Sequence, residues 1–213
     1  MDGIYTALIG DIRGSRELED RAGVQQELAS ALGEVNEDLA ASLAAEMVIT
    51  TGDEFQGLFH VPSAAVEALG RLDERLAELS FAFGLGRGGL ETSLEPEAIG
   101  MDGPCFHRAR AAIEAADPTP AGVEVRGFGT EPDAHASAML GLVQATRSDW
   151  TQVQCRYALA VRDADTQQAV AEAFQRSKSS VSESLSAAHA REVHAAETQV
   201  GTYLDREPGE DAP

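Results

Sequence analysis

Hydrophobic positions along this chain repeat with two periods, and the change from one to the other marks out its elements. Ile4-Tyr5-Thr6-Ala7-Leu8-Ile9 is a short apolar run with β-branched and aromatic members, which predicts a buried strand ending at Gly10-Asp11. Leu28, Leu32, Val35, Leu39 and Leu43 then recur at spacings of three and four, predicting a long helix from Glu17 to about Ala45. Met47-Val48-Ile49 and Phe55-Gln56-Gly57-Leu58-Phe59 flank Gly52-Asp53, the signature of a hairpin. Pro62 opens a helix with Val66, Leu69, Leu72, Leu76 and Leu79 on its buried side, and Phe81 to Gly86 reads as a glycine-interrupted strand. A loop from Ile99 closes into a helix reaching about Ala116, Val123 to Phe128 alternates as a last strand, and Pro132 to Arg147 is helical.

Beyond Trp150 the pattern is helical throughout. Thr166 to Phe174 reads as a short helix, Gln175-Arg176-Ser177 as a turn and Lys178 to Ala188 as a second helix. A longer helix runs from Ala187 to Leu204. The order βαββαβ defines an α+β, ferredoxin-like palm over residues 1–130. A helical connector (131–148), an all-α helix-turn-helix unit (149–204) and an acidic, Pro/Gly-rich tail (205–213) expected to be disordered complete the chain.

Charge adds a source and a solvent. The 213 residues carry a formal net charge of -20, and of the basic residues only Lys178 is a lysine. An acidic, arginine-based surface suits a high-salt cytosol, so a halophilic origin is expected, and the charge weakens any argument from a broad basic patch toward nucleic acid. Cys105 and Cys155 are isolated from each other and from metal-ligand spacings, which predicts two reduced thiols. With no signal-like N-terminus and no run of about eighteen apolar residues, the expectation is a soluble, cytoplasmic protein without a membrane partner.

Candidate chemistry gathers at two glycine-flanked acids. Asp11 ends the first strand and Asp53 and Glu54 stand at the hairpin tip, so neighbouring strands would bring together hard oxygen ligands suited to Mg²⁺ or Mn²⁺. The loop Ile12-Arg13-Gly14-Ser15-Arg16 leads into a helix N-terminus, a setting for phosphate in which Arg13 and Arg16 offer two-pronged guanidiniums. Arg110, early in the helix after Asp102-Gly103-Pro104, can aim a cation at the same sheet end. In the C-terminal unit, Arg176, Lys178, Ser179, Ser180, Ser182 and Ser184 form the exposed set expected to meet DNA phosphates and base edges.

The combination of GDIRGSR, TTGDEFQGL, a Gly-rich third strand and IGMDGPCFHRAR, followed by the helix-turn-helix, resembles the SatD family over nearly the whole chain. At greater distance, residues 1–128 are similar to the catalytic domain of class III nucleotidyl cyclases. Through Gly52-Asp53-Glu54-Phe55 they also resemble diguanylate cyclases, with Thr51 in place of that signature's first glycine. The cyclase resemblance implies metal ligation by Asp11 and Asp53, triphosphate binding along Ile12, Arg13 and Gly14, and a transition-state role for Arg110. Phe106 and Ile49 stand where those cyclases carry an asparagine and a base-reading lysine. The expected function is a homodimeric regulator that couples a metal- and nucleotide-binding domain to a DNA reader. The alternative is a two-metal enzyme that forms or cleaves a phosphodiester.

Overall fold

The computed structural model describes residues 3–18, 20–164 and 166–210, without the side chain of Arg16. Along the chain come β1 (Ile4–Ile12), a 3₁₀ turn (Ser15–Glu17), α1 (Arg21–Asp38), β2 (Leu43–Thr51), β3 (Glu54–Phe59), α2 (Pro62–Arg75) and β4 (Phe81–Gly89). They are followed by α3 (Pro104–Ala116), β5 (Val123–Arg126), α4 (Thr130–Arg147), α5 (Gln152–Asp163), α6 (Gln167–Ala173), α7 (Lys178–Ala187) and α8 (Ala190–Leu204). One sheet has the order β2-β3-β1-β4-β5. Its first four strands pair antiparallel and β5 runs parallel to β4. The βαββαβ order is therefore present as β1-α1-β2-β3-α2-β4, with α3 and β5 added.

Strict alternation on the central strands makes both sheet faces apolar. Leu8, Ile12, Phe55, Phe59, Phe81, Phe83 and Leu85 pack with Leu28, Leu32 and Val35 of α1 and with Leu69 and Leu72 of α2. Ala7, Ile9, Leu58 and Ala82 point the other way, toward Phe106, Ala109 and Ile113 of α3. Glycine alternates on the same strand for a packing reason. A Cβ on Gly84 would lie 2.3 Å from the Ala109 carbonyl oxygen, and one on Gly86 would lie 2.2 Å from the Ala109 nitrogen and the Cys105 oxygen. The missing side chains let the α3 backbone settle directly on β4.

Three departures from the periodicity have local causes. The predicted helix to Ala45 stops at Asp38, because Leu43 and Ala45 pair with Phe59 and Leu58 of β3. Asn36 supports this ending: its side chain donates to the Met47 carbonyl (3.0 Å) and accepts from the Met47 N–H (2.9 Å), where the strand register shifts. The helix predicted from Ala187 begins instead at Ala190, after His189 takes the left-handed conformation at φ 51°. Residues 205–210 of the expected disordered tail fold back, with the Glu210 N–H on the Gly127 carbonyl (2.9 Å) and its carboxylate 3.2 Å from Arg108. Residues 211–213 lie outside the described residues.

The C-terminal helices share the sheet's core and add a small one. Ala136 and Leu140 of α4 and Val200 and Leu204 of α8 belong to the main cluster, while Tyr157, Val170, Ala171, Val181 and Leu185 form a second around α5, α6 and α7. Between these cores runs a buried ionic seam. Arg162 donates from Nε to Glu74 Oε2 (2.6 Å) and from Nη2 to Glu197 Oε2 (2.5 Å). Arg147 bonds Glu197, Glu74 and Asp73, and His194 Nε2 lies 2.9 Å from Glu74 Oε1. Burial alone would raise the Glu74 carboxyl, but the hydrogen bonds of Arg162 and His194 and the nearby guanidinium charges bring it down to about 2.

Two measurements test this architecture. Gly86→Ala is expected to destabilise the chain by about 1–3 kcal/mol, read as a lower urea midpoint, because α3 must move off the sheet. Glu74→Gln is expected to cost about 3–5 kcal/mol, since two buried guanidiniums lose a shared carboxylate. Because the Glu74 value is depressed on folding, its contribution is present above pH 4.5 and fades as pH falls toward 2. The acid-unfolding curve of Glu74→Gln should lack that part of the slope.

Candidate functional site

Asp11 occupies the last turn of the β1 ladder, directly opposite Glu54 on β3 and Ala82 on β4. Two more acids close on it, from the hairpin tip and from the residue after α3. Burial is the largest cause that pushes the Asp11 carboxyl up to about 6, followed by the charges of Asp53, Glu54 and Asp117. Gly52, at φ 66°, makes the two-residue turn that presents Asp53, and Gln25 of α1 holds the turn by donating to the Gly52 carbonyl (3.0 Å).

Glu54 is expected as a metal ligand, yet its carboxylate faces Arg110. Arg110 Nη2 donates to Glu54 Oε1 at 2.7 Å, Nη1 donates to Oε2, and Thr50 Oγ1 donates to Oε1 at 3.0 Å. These bonds, with the Arg110 hydrogen bond first, hold Glu54 below its usual range, and the same pair raises Arg110. Among the described residues, three ligating side chains come within 4.8 Å of one another only at Glu74, His194 and Glu197. There both carboxylates already accept from Arg147 and Arg162. At the sheet end the uncompensated donors are Asp11 and Asp53, two hard carboxylates in a surplus of negative charge. That set fits a Mg²⁺-type ion completed by water or by the oxygens of a ligand.

Beside Asp53, on the α1 side of the sheet end, lies a cavity of about 300 Å³ lined by Ile12, Ser15, Leu18, Arg21, Gln25 and Gly52. Ile12 and Ser15 line this cavity together with Asp53, whereas Asp11 is not on its wall and alternates with Ala7 and Ile9 toward the α3 face; Gly14 turns the chain at φ 66°. Arg13 is likewise off that wall. Its Nη2 donates to the carbonyls of Ala116 and Thr119 (both 2.8 Å), where the C-terminal end of α3 attracts a cation. The helix N-terminus is also engaged, because the Asp20 side chain accepts from the Gly23 N–H at 2.9 Å. The Arg16 side chain is outside the described residues. Arg21 and Asp117 were not predicted: Arg21 looks like an ordinary first-turn residue, and Asp117 reaches Asp11 only through folding.

In the C-terminal unit, Arg176, Lys178, Ser179 and Ser180 are exposed, whereas Ser182 and Ser184 are half-buried. Ser177 caps α7, accepting from the Ser180 N–H (3.2 Å), and Gln175 takes φ 52° in the turn where glycine is common. Glu172 and Glu183 are exposed nearby, so this end of the molecule is close to neutral rather than basic.

With that geometry in hand, comparison places the chain. The model of the SatD family matches residues 5–202, and the chain belongs to the SatD family. No curated protein matches it. Among solved structures it is similar to a bacterial light-regulated adenylyl cyclase, at 12% identity over 59% of this chain and 76% of that one, with a TM-score of 0.47. It is also similar to the guanylyl cyclase Cya2 (18%, 54% and 73%, TM-score 0.42). A third is the guanylyl cyclase domain of the RhoGC fusion protein from the aquatic fungus Blastocladiella emersonii (16%, 53% and 75%, TM-score 0.40). No helix among the described residues is long and apolar enough to cross a membrane.

The charge surplus at Asp11 has a measurable cost. Its folded value lies above the unfolded 3.8, so the folded chain without metal gains stability as pH falls from above 6 toward 4. Asp11→Asn should therefore stabilise the metal-free protein at pH 7.5 by roughly 1 kcal/mol after allowance for solvent screening. Urea midpoints of the two proteins are expected to converge near pH 4.

Proposed function

We propose that this SatD-family chain is a regulator that binds a nucleoside polyphosphate together with Mg²⁺ or Mn²⁺ at the sheet end. Asp11 and Asp53 would hold the ion, and Ser15, Arg21 and the Ile12–Gly14 backbone would line the phosphate path. The observation that carries this reading is the Asp11 carboxyl, half-buried among Asp53, Glu54 and Asp117 with its value raised to about 6. Acids crowded to that degree are relieved by a divalent cation. When bound, that ion supplies charge neutralisation for phosphate oxygens. The protein's own contribution is to orient the two carboxylates and to offer a cavity edged by Arg21.

The output in this proposal is DNA. The exposed start of α7, with Arg176, Lys178, Ser179 and Ser180, would contact backbone phosphates, with Ser182 and Ser184 behind them. A homodimer would present two such helices to paired half-sites. The rigid seating of α8 on α2 and α4 favours coupling between the halves, since Val200 and Leu204 share the core that includes Leu8 and Phe55. A second reading, phosphodiester chemistry, is favoured by the position of Arg110 on α3 next to the same acids. Its engagement by Glu54 weighs against turnover in this state.

Isothermal titration with ATP and GTP in Mg²⁺ is expected to show binding that EDTA removes and that Asp11→Asn Asp53→Asn lacks. Binding indifferent to metal, or unchanged in the double variant, would overturn the proposal. The same mixtures in Mn²⁺, assayed for cyclic and linear products, decide between binding and turnover. For the DNA arm, Arg176→Ala Lys178→Ala should flatten the salt dependence of binding to a mixed-sequence duplex by about two phosphate contacts.

A further inference from the structure

Opposed residues of an antiparallel pair project from the same face, so Asp11 and Glu54, which stand opposite each other in the β1–β3 ladder, share one side of the sheet. Ala7, Ile9 and Leu58, at alternate positions on the same two strands, identify it as the side that α3 covers. Arg110 comes down from α3 onto that side. Its Nη2 donates to Glu54 Oε1 at 2.7 Å and its Nη1 to Oε2, a two-pronged match that commits the whole guanidinium end. Glu54 is thus the acid that shares a face with Asp11, and it is the acid that Arg110 holds.

Two features make the hold releasable. The pair is open to water, with 42% of the Arg110 side chain and 22% of the Glu54 side chain exposed, and a pair in that setting contributes little to the stability of the fold. Glu54 also has a second anchor, since Thr50 Oγ1 donates to its Oε1 at 3.0 Å and keeps the carboxylate at the sheet end whether or not Arg110 is there.

We propose that the Glu54–Arg110 pair is an ion-operated latch: Glu54 exchanges Arg110 for a divalent cation shared with Asp11, and the released Arg110 turns to the phosphate oxygens of the nucleotide. This deepens the reading of Asp11 and Asp53 as ion ligands and rests on it. A divalent ion carries twice the charge of a guanidinium and takes oxygens from two carboxylates at once, so the exchange runs toward the ion. In the latched state one acid and one cation are both withheld from the site. The ion therefore binds before the nucleotide, and Arg110 answers to the ion.

Mn²⁺ binding to the full chain without nucleotide, followed by calorimetry and by loss of the free-ion EPR signal, separates the latch from an ordinary ion pair. Arg110→Gln is expected to bind Mn²⁺ about tenfold more tightly than wild type, because Glu54 no longer has a competitor, and Glu54→Gln about tenfold more weakly. The gain should vanish when Arg110→Gln is made in the Glu54→Gln background. Arg110→Lys, which keeps the charge and loses the two-pronged match, should show part of the gain, about threefold, and decides alone if Arg110→Gln does not fold. Equal Mn²⁺ affinity in wild type and both Arg110 variants, or a gain that persists without the Glu54 carboxylate, overturns the latch and leaves the ion site in place. No Mn²⁺ binding in wild type or in Arg110→Gln, or affinity unchanged in Asp11→Asn Asp53→Asn, overturns the ion site itself and the latch with it.

Discussion

Glu74 and Glu197, each almost wholly removed from solvent, are held between the guanidiniums of Arg147 and Arg162 where α2, α4, α5 and α8 meet. Taking four charges out of water is costly, and the arrangement is tolerable only because each carboxylate oxygen of the two glutamates accepts at least one charge-assisted bond. Such a seam has one good geometry and many poor ones. It therefore fixes the C-terminal helices on the sheet more narrowly than their apolar contacts alone would, and the orientation of α6 and α7 follows from it.

The sheet end obeys the opposite rule. There Arg110 is the cation that reaches the acids, and it is committed to Glu54 by two parallel bonds. Asp11 and Asp53 are left with a surplus that the protein itself does not neutralise. One end of the molecule balances its buried charge internally, and the other keeps an imbalance open to solvent. The two thiols take no part in either, since burial raises both Cys105 and Cys155 to about 11.

Much of this was legible in the order of residues. Asp11 and Asp53 stand out because each follows an apolar run and adjoins a glycine, which locates them at strand ends before any contact is known. The four-strand order and both short C-terminal helices follow from periodicity and from the Thr166 and Ser177 caps. Illegible features depend on partners distant in sequence. Leu43-Ala44-Ala45 suits a helix as well as a strand, and Phe59 and Leu58 decide it. Glu74, Arg147, Arg162 and Glu197 look like ordinary surface charges on amphipathic helices. Arg13 looked like a phosphate ligand because nothing local discloses the carbonyls of Ala116 and Thr119.

The return of residues 205–210 across the molecule ties its last described residue to working parts. Glu210 meets Arg108, two positions before Arg110 on the same helix, and the Gly127 carbonyl at the end of β5. A fusion that displaced these residues would thus pull on the helix that carries the Glu54 partner.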